Sequence, residues 1–227
     1  MSSPEKSGLY NLSNRSFRLR GTRITEAQAK ATQLFWDEFG IVPDHPIVPS
    51  EIFPNSEKVI MEIGTGMGEA TAEIARNFPE TGFFALEVHR PGIGSLLARI
   101  NEFELTNLRL INEDARIVLS EYMPDQCLDA VHLYFPDPWH KKKHWKRRIV
   151  QRDFVDLIYR KLKPGGHIHI ATDWQDYANY MKKVFLEHSA FDGGIVERPD
   201  WRPLTKFEGK GLRKDHNVTD FTYTLKS

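Results

Sequence analysis

Between residues 58 and 185 the chain repeats one pattern, in which a short apolar strand is followed by an amphipathic helix. Five strands are predicted in this stretch, and they read VIMEIG, FFALEV, LRLIN, LDAVHLYF and HIHIAT. Strands that alternate with helices form βαβ units, which build a parallel sheet covered by helices on both faces. We therefore predict an α/β fold with a doubly wound, mostly parallel sheet. Such folds bind ligands outside the carboxyl ends of their strands.

The chain on either side of this stretch is predicted in less detail. Thr25 with Gln28 three positions later forms a capping box, which predicts a helix over about residues 25–39. Four prolines within residues 40–56 predict a loop. A later helix is predicted over about 148–162, and the KPGG sequence at 163–166 predicts its stop and a turn. FTYTL at the C-terminal end predicts a last strand.

Residues 1–24 are predicted to form a flexible arm, which leaves residues 25–227 as a single domain. The arm is basic and has no acid among its four arginines, Arg15, Arg18, Arg20 and Arg23. Such a segment is typical of a disordered tail or of a basic arm that binds RNA, and the sequence alone leaves both open.

The composition restricts the class of protein further. The single cysteine, Cys127, excludes an internal disulfide framework and fits a reducing compartment. With no signal peptide or membrane-length apolar run in the sequence, we expect a soluble, cytoplasmic protein. The formal net charge is zero, but residues 51–129 carry 14 acids and 6 bases, whereas residues 137–163 carry 10 bases and 3 acids. A protein polarised in this way can bind a polyanion with one face.

A glycine loop follows the first predicted strand and contains Gly64, Gly66 and Gly68. Glycines let the chain turn tightly and let a ligand approach the backbone. The spacing is GxGxG, which differs from the GxGxxG of dinucleotide-binding sites. This difference argues against NAD as the ligand of the loop. Taken alone, the loop is also explained by a plain turn.

Three acids end successive predicted strands. Glu62 could take an ammonium group, Glu87 could accept two ribose hydroxyls, and Asp114 is placed to receive an adenine amino group. Each acid could instead cap the helix that follows it. Because the three acids and the glycine loop fall at the same edge of the predicted sheet, they predict a ligand pocket together.

A carboxylate loop and a basic run follow the fourth predicted strand, within residues 134–148 (YFPDPWHKKKHWKRR). Asp137 lies between two prolines, which predict a rigid loop, and six of the nine residues 140–148 are Lys or Arg. An acid beside aromatic residues and a cationic run indicates a site that handles a base of a polyanion. The alternative is a turn with a solvated charged loop. His140 and His144 are spaced for a metal, but no acid or cysteine completes that site, so we expect no metal.

In their order, the segments EIGTGMG, ALEVHRPG, YFPDPWHKKKHWKRRIVQ, LKPGG, ATDW and RPLTKFEGKG resemble the bacterial tRNA (guanine-N7-)-methyltransferase family. The resemblance covers roughly residues 15–225. It implies a Rossmann-like class I methyltransferase with a seven-stranded sheet and an antiparallel final hairpin. It also implies S-adenosyl-L-methionine as the cofactor and tRNA as the partner, with methyl transfer to N7 of a guanosine in the variable loop.

The same resemblance implies roles for individual residues. Asp137 is implied to be the catalytic residue. The residues implied to bind the methyl donor are Glu62, Gly64, Gly66, Gly68, Glu87, Asp114 and Asp137. Those implied to bind the substrate are Lys141, Asp173, Thr205, Lys206, Phe207 and Glu208, and those implied to bind RNA are Lys143, His144, Trp145, Lys146, Arg147 and Arg148. Asp173 has an alternative role as the N-cap of the next helix.

Other functions stay open at this point. A methyltransferase for another RNA or a small molecule is the nearest alternative, and an NAD(P)-dependent oxidoreductase and a non-catalytic RNA-binding protein are more distant ones. No obligate protein partner is evident, and a monomer and a homodimer are both compatible with the sequence.

Overall fold

The computed structural model describes residues 15–17, 23–204, 208 and 217–226. The described helices are α1 (Glu26–Phe39), α2 (Pro49–Ile52), α3 (Glu69–Asn77), α4 (Arg90–Glu102), α5 (Ala115–Ile117), α6 (Arg152–Lys161) and α7 (Gln175–Leu186), with a π-helical turn at Val118–Tyr122 and a 3₁₀ helix at Lys142–Arg147. The described strands are β1 (Gly40–Ile41), β2 (Lys58–Ile63), β3 (Thr81–Leu86), β4 (Leu108–Ile111), β5 (Leu128–Tyr134), β6 (Leu162–Thr172), β7 (Phe191–Val196) and β8 (Thr219–Leu225).

The strands form one eight-stranded sheet in the order β1-β4-β3-β2-β5-β6-β8-β7. The pairs among β1 to β6 are parallel, and β8 runs antiparallel to both β6 and β7. This confirms the predicted α/β class and the antiparallel final hairpin. The sheet has eight strands rather than the expected seven, because the two-residue strand β1 is added at its edge beside β4. The chain moves outward from β2 through β3 to β4, and it then returns to form β5, which pairs with β2 on the side opposite β3. The carboxyl ends of β2 and β5 therefore form a topological switch point, where open α/β sheets bind their ligands.

Each face of the sheet has its own hydrophobic core. On one face, side chains of α3 and α4 such as Ile74, Leu96 and Leu97 pack against β3 and β4. On the other face, Phe154 of α6 and Tyr177 of α7 pack against β2, β5 and β6. The long apolar stretches that predicted the strands are explained by this arrangement, because central strands covered on both faces are buried along their length.

The N-terminal helix has the predicted boundaries and cap. The hydroxyl of Thr25 accepts from the backbone N–H of Gln28, and the side chain of Gln28 accepts from the backbone N–H of Thr25. The predicted apolar face is less complete, since Leu34 is 57% exposed.

Three local predictions need correction. Residues 40–56 are not loop throughout, because they contain β1 and α2, the latter with a proline in its first turn. The helix predicted from about 148 begins only at Arg152, after the 3₁₀ helix. The KPGG segment does not separate that helix from the next strand, because β6 already begins at Leu162.

Residues 163–166 instead form a bulge inside β6. Leu128 of β5 is opposite Leu162, whereas Ala130, two positions later, is opposite His167. Gly165 has a φ of 77°, which a glycine adopts without strain, and this lets the bulge form. None of the helices in the described part of the chain is long and apolar enough to cross a membrane.

Candidate active site

A cavity of about 490 Å³ lies at the carboxyl ends of β2 to β5. It brings together the acids that end these strands and the loop that follows β5. Among its lining residues are Glu62, Gly64, Gly66, Glu87, Asp114 and Asp137. Six of the seven residues expected to bind the methyl donor therefore face one cavity, although they span 76 positions of sequence.

The glycine loop leaves its backbone open to a ligand. Gly64 and Gly66 have φ angles of 78° and 59°, in the left-handed region that favours glycine. A Cβ atom built at either position would meet no heavy atom within 4 Å, so the space above both residues is available. Gly68 does not line the cavity. A Cβ there would lie 2.7 Å from Cδ1 of Leu96, so its lack of a side chain serves the packing of α3 on α4.

Glu87 holds the glycine loop against the end of β3. One carboxylate oxygen accepts from the backbone N–H of Gly66 at 2.6 Å, and the other accepts from the backbone N–H of His89 at 2.8 Å. Burial raises the pKa of Glu87, although these backbone donors act in the opposite direction. Because a carboxylate has about four acceptor positions, Glu87 keeps capacity for hydroxyl donors from a ligand.

Glu62 is the most strongly perturbed acid of the cavity. Its side chain is buried, with only 4% of the residue exposed. The pKa of Glu62 is raised to about 7, mainly by burial and further by the negative charge of Glu87, while the Thr71 hydroxyl acts in the opposite direction. A cationic group entering the cavity would stabilise the ionised form of this carboxylate.

Asp114 caps the helix that follows it and also lines the cavity, so the two roles that the sequence left open are compatible. It is the N-cap of α5, where one carboxylate oxygen accepts from the backbone N–H of Arg116 at 2.9 Å. It also lines the cavity and is only 5% exposed. Burial raises the pKa of Asp114, and the backbone N–H and the positive charge of Arg116 oppose that shift.

Asp137 lies on a strained loop that is braced on both sides. Phe135 and Trp139, which flank Pro136 and Pro138, have positive φ angles of 49° and 46°. Non-glycine residues in this region cost about 1–3 kcal/mol each and persist only where the surroundings fix them. The braces include a hydrogen bond of 2.8 Å from the Phe135 N–H to the Ala171 carbonyl. The loop thus presents the half-buried Asp137 to the cavity.

Part of the N-terminal segment also lines the cavity, which the sequence did not predict. Ser16 and Phe17 lie at its edge. The Nε1 of Trp139 donates to the Ser16 carbonyl at 3.1 Å, and Nε of Arg147 donates to the Arg15 carbonyl at 2.9 Å. Residues 1–14 and 18–22 of the predicted arm, including Arg18 and Arg20, lie outside the described residues.

The basic run follows the Asp137 loop directly and is mostly accessible. Lys141, Lys143 and Lys146 are exposed, and His144, Trp145 and Arg147 are partly exposed. The Arg147 guanidinium carbon lies 4.0 Å from the ring centroid of Trp139, so this arginine is bound to the loop and to the N-terminal segment at the same time.

Arg148 does not fit the RNA-binding role expected for it. It is 1% exposed, and one of its nitrogens lies 2.5 Å from a carboxylate oxygen of Asp176. Its Nε donates to the Pro138 carbonyl at 2.8 Å, and its guanidinium carbon lies 4.5 Å from the ring centroid of Trp145. Because no surface of Arg148 is available to a phosphate, we correct the expectation. Arg148 fastens the end of the basic run to the core and braces the Asp137 loop.

The expected substrate residues are distributed over two segments. Asp173 follows β6 at the same edge of the sheet and is half-buried, and the N-cap of α7 is Trp174 rather than Asp173. Thr205, Lys206 and Phe207 lie outside the described residues. Glu208 is 4% exposed and accepts from Arg202 with both of its carboxylate oxygens, at 2.9 and 3.1 Å.

Arg202 and Asp220 belong to a buried polar network that the sequence did not predict. Nε and one terminal nitrogen of Arg202 donate to the two carboxylate oxygens of Asp220, at 2.8 and 2.9 Å. His169 of β6 contacts the same Asp220 at 2.9 Å. The sequence feature that could have indicated this network is the presence of two polar residues, His169 and Asp220, within segments whose pattern is typical of buried strands.

A mostly parallel sheet with a glycine loop and acids at its switch point is the arrangement of class I S-adenosylmethionine-dependent methyltransferases. Among solved structures, the 16S rRNA methyltransferase KamB has a similar fold, with a TM-score of 0.58 over 78% of this chain and 92% of that chain. Its sequence is only 15% identical, so this comparison shows the fold alone.

Sequence relatives specify the family. The model of a family described as "Putative methyltransferase" matches residues 56–221. A tRNA (guanine-N(7)-)-methyltransferase from Nitrosomonas europaea is 46% identical over 214 residues, which cover 92% of this chain and 96% of the relative. One from Neisseria meningitidis is 47% identical over 217 residues, with 92% and 90% covered. The chain belongs to the tRNA (guanine-N(7)-)-methyltransferase family.

Proposed function

We propose that this protein transfers a methyl group from S-adenosylmethionine to N7 of a guanosine in the variable loop of tRNA. The observation that carries the proposal is the continuity of one loop. Asp137 faces the cavity that holds the strand-end acids, and exposed lysines follow it within nine residues. A base bound at the cavity mouth would therefore have its backbone phosphates next to these lysines. With tRNA as the substrate, we also propose the cytoplasm as the compartment.

The residues of the cavity fit S-adenosylmethionine. Glu62 would accept its ammonium group, Glu87 its ribose hydroxyls and Asp114 its adenine amino group, and the open backbone at Gly64 and Gly66 would lie against it. When bound, this group supplies an electrophilic methyl on a positively charged sulfur. The strand-end carboxylates surround that cationic donor with negative charge, which favours its binding.

The role proposed for Asp137 follows from the chemistry of guanine. N7 has an in-plane lone pair, so no base is needed to generate the nucleophile. The ring gains positive charge as the new bond forms. Rate enhancement then comes from alignment and from negative charge near the ring. Asp137 or Asp173 can accept from N1–H and N2–H₂ of guanine and hold the base in line with the donor methyl.

Exposed lysines of the basic run are proposed to contact phosphates of the tRNA. Lys143 and Lys146 extend from the 3₁₀ helix Lys142–Arg147, and Lys141 directly precedes it. Contacts of this kind release counterions from the nucleic acid, so binding should weaken as the salt concentration rises. They carry little sequence information and position the substrate instead.

The direct test is to incubate the protein with unmodified tRNA and a donor labelled in its methyl group, and then to map the labelled nucleoside. We expect label in 7-methylguanosine at the variable loop. Label in another nucleoside or another RNA would replace the proposed substrate, and label in a small molecule alone would remove RNA from the proposal. A tRNA whose variable-loop guanosine is replaced by adenosine is the matched control, and it should receive no label.

A further inference from the structure

One face of the sheet carries polar side chains where β5, β6 and β8 meet. His132 of β5, His169 of β6 and Asp220 of β8 are each at most 3% exposed. Trp201 covers them, with its ring stacked on His132 at a centroid distance of 5.0 Å and an interplanar angle of 18°. This part of the sheet is therefore covered by the segment that includes Trp201 and Arg202.

Arg202 is the centre of this polar network. It is 0% exposed, and it donates to two carboxylates, Asp220 and Glu208, with two hydrogen bonds to each. Asp220 is held in turn by His169, whose other ring nitrogen lies 2.9 Å from the Thr222 hydroxyl. The paired geometry fixes the planes of both carboxylates relative to the guanidinium, which a lysine in the same place could not do.

The network reaches the candidate active site through two aromatic side chains. The guanidinium carbon of Arg202 lies 5.8 Å from the ring centroid of Tyr134 and 6.0 Å from that of Phe135. Both aromatic residues line the cavity, and Phe135 is one of the two residues with positive φ around Asp137. Arg202 thus contacts both Glu208 and the two aromatic residues of the cavity wall.

A purely structural purpose is a weak explanation for such a group. Moving an arginine and two carboxylates out of water is expensive, and apolar side chains of similar volume in such places are often as stabilising or more so. Buried charges with fixed partners do select one arrangement of the groups they hold. Of the two carboxylates that Arg202 holds, Asp220 belongs to strand β8, whereas Glu208 lies outside the sheet. Glu208 is therefore the group whose position depends on Arg202.

We propose that Arg202 is a positioning residue for methyl transfer, which fixes Glu208 at the carboxyl ends of β5 and β6 beside the Asp137 loop. The inference rests on the proposed function, because it requires that the target guanine lies at this edge of the sheet. Glu208 held in this way is a fixed acceptor for amino or imino hydrogens of the base. Arg202 acts through Glu208 and does not touch the substrate.

The test compares Arg202→Lys with a matched variant, Lys161→Met. Lys161 is also buried, at 4% side-chain exposure, and its ion pair with Asp125 lies at the opposite edge of the sheet, where β5 begins. We expect Arg202→Lys to lower kcat for tRNA by about tenfold or more, as misplacement of a reacting group does. The dissociation constant for S-adenosylmethionine should stay within about twofold, because donor contacts are intact. Lys161→Met should lower the melting temperature without lowering kcat at a temperature where it is folded.

A double-mutant cycle with Glu208→Gln separates positioning from support of the fold. If Arg202 acts through Glu208, Arg202→Lys should change kcat by less than about twofold in the Glu208→Gln background. The inference would be overturned if Arg202→Lys lowered kcat by the same factor in the Glu208→Gln background as in the wild type. It would also be overturned if Arg202→Lys alone had the kcat of the wild type. Should Arg202→Lys fail to fold, Asp220→Asn takes its place in the same cycle with the same criteria. The proposed function fails separately, if the wild-type protein itself puts no methyl group on guanine N7 of tRNA.

Discussion

The indole Nε1 of Trp139 donates a hydrogen bond to the backbone carbonyl of Ser16, 3.1 Å away and 123 positions earlier in the chain. Ser16 lines the proposed donor cavity, and Trp139 lies two residues after Asp137 on the loop that faces it. One hydrogen bond therefore joins a wall of the proposed donor site to the loop that presents Asp137, the proposed catalytic carboxylate.

Replacing Trp139 by Phe should weaken donor binding. The change removes the hydrogen bond to Ser16 and keeps an aromatic ring under Arg147. A hydrogen bond of this kind contributes about 1 kcal/mol to holding Ser16 in the cavity wall, so its loss should raise the dissociation constant for S-adenosylmethionine by up to about fivefold in calorimetric titration. The control is Trp145→Phe, because the buried Nε1 of Trp145 has no hydrogen-bond partner among the described residues. Equal affinities for both variants and the wild type would contradict the prediction.

Glu62 should make donor binding depend on pH. Its pKa of about 7 in the free protein means that it is partly protonated at neutral pH. Because an ammonium group favours the ionised carboxylate, binding below pH 7 has to release this proton. The affinity for S-adenosylmethionine should therefore rise with pH up to about 7 and level off above it.

The isosteric variant Glu62→Gln should bind the donor more weakly and lose this pH dependence. Titrations between pH 5.5 and 8.5 in buffers of different ionisation enthalpy would measure the affinity and the proton release together. A wild-type affinity with no slope below pH 7 would speak against an ionised Glu62 in the complex.

The same residue should affect stability in the absence of donor. Burial raises the folded-state pKa of Glu62 above its usual value of 4.5, so the folded protein binds more protons than the unfolded chain between these values. The contribution of Glu62 to stability is therefore complete below about pH 4.5 and is lost as pH rises through about 7. Thermal unfolding should show Glu62→Gln gaining stability relative to wild type over this range. A constant difference would contradict the prediction.

Lys143 and Lys146 should determine part of the salt dependence of tRNA binding. Each exposed lysine that contacts a phosphate contributes about one unit to the slope of log affinity against log salt. Lys143→Ala and Lys146→Ala should each weaken tRNA binding and flatten this slope in filter-binding titrations, while donor affinity stays unchanged. Lys58→Ala is the control, because Lys58 is exposed and begins β2 at the opposite edge of the sheet. An equal slope for all four proteins would remove these lysines from the RNA interface.

Arg148 should matter for stability rather than for RNA contact. Arg148→Met removes the ion pair with Asp176 and the bond to the Pro138 carbonyl, which we expect to lower the free energy of unfolding by about 2–3 kcal/mol. Arg152→Met, at an exposed position of α6, should change it by less than about 0.5 kcal/mol. Urea titration measures both. A variant as stable as wild type but with a flatter salt slope would return Arg148 to the RNA-binding set.

Those parts of the fold that follow from local patterns were predictable. The alternation of apolar strands and amphipathic helices predicts the five strands β2 to β6, because burial of the sheet on both faces imposes this pattern. The strand β7 was missed, because its FDGGIV sequence has two glycines and is mostly exposed at the sheet edge. The extension of β6 through KPGG was missed for a related reason, since proline and glycine indicate a turn and a bulge equally well.

The candidate site was predictable where strand ends determine it. Glu62, Glu87 and Asp114 end adjacent parallel strands, so their meeting follows from topology. The burial of Arg148 was not predictable, because nothing in a run of six cations tells which one turns inward. Arg202 was missed because its partners, Glu208 and Asp220, are brought to it only by the tertiary fold.

The fastening of Arg148 has a consequence for the entropy of RNA binding. Residues 134–148 begin at the end of a central strand and finish at a side chain locked into the core, with Trp139 and Arg147 tied to the N-terminal segment between these points. Fixing the backbone of a residue costs about 1–2 kcal/mol of conformational entropy. Here that cost is incurred when the protein folds. A tRNA bound as proposed would therefore meet a basic surface whose shape is already set, and more of the energy of its phosphate contacts would remain as affinity.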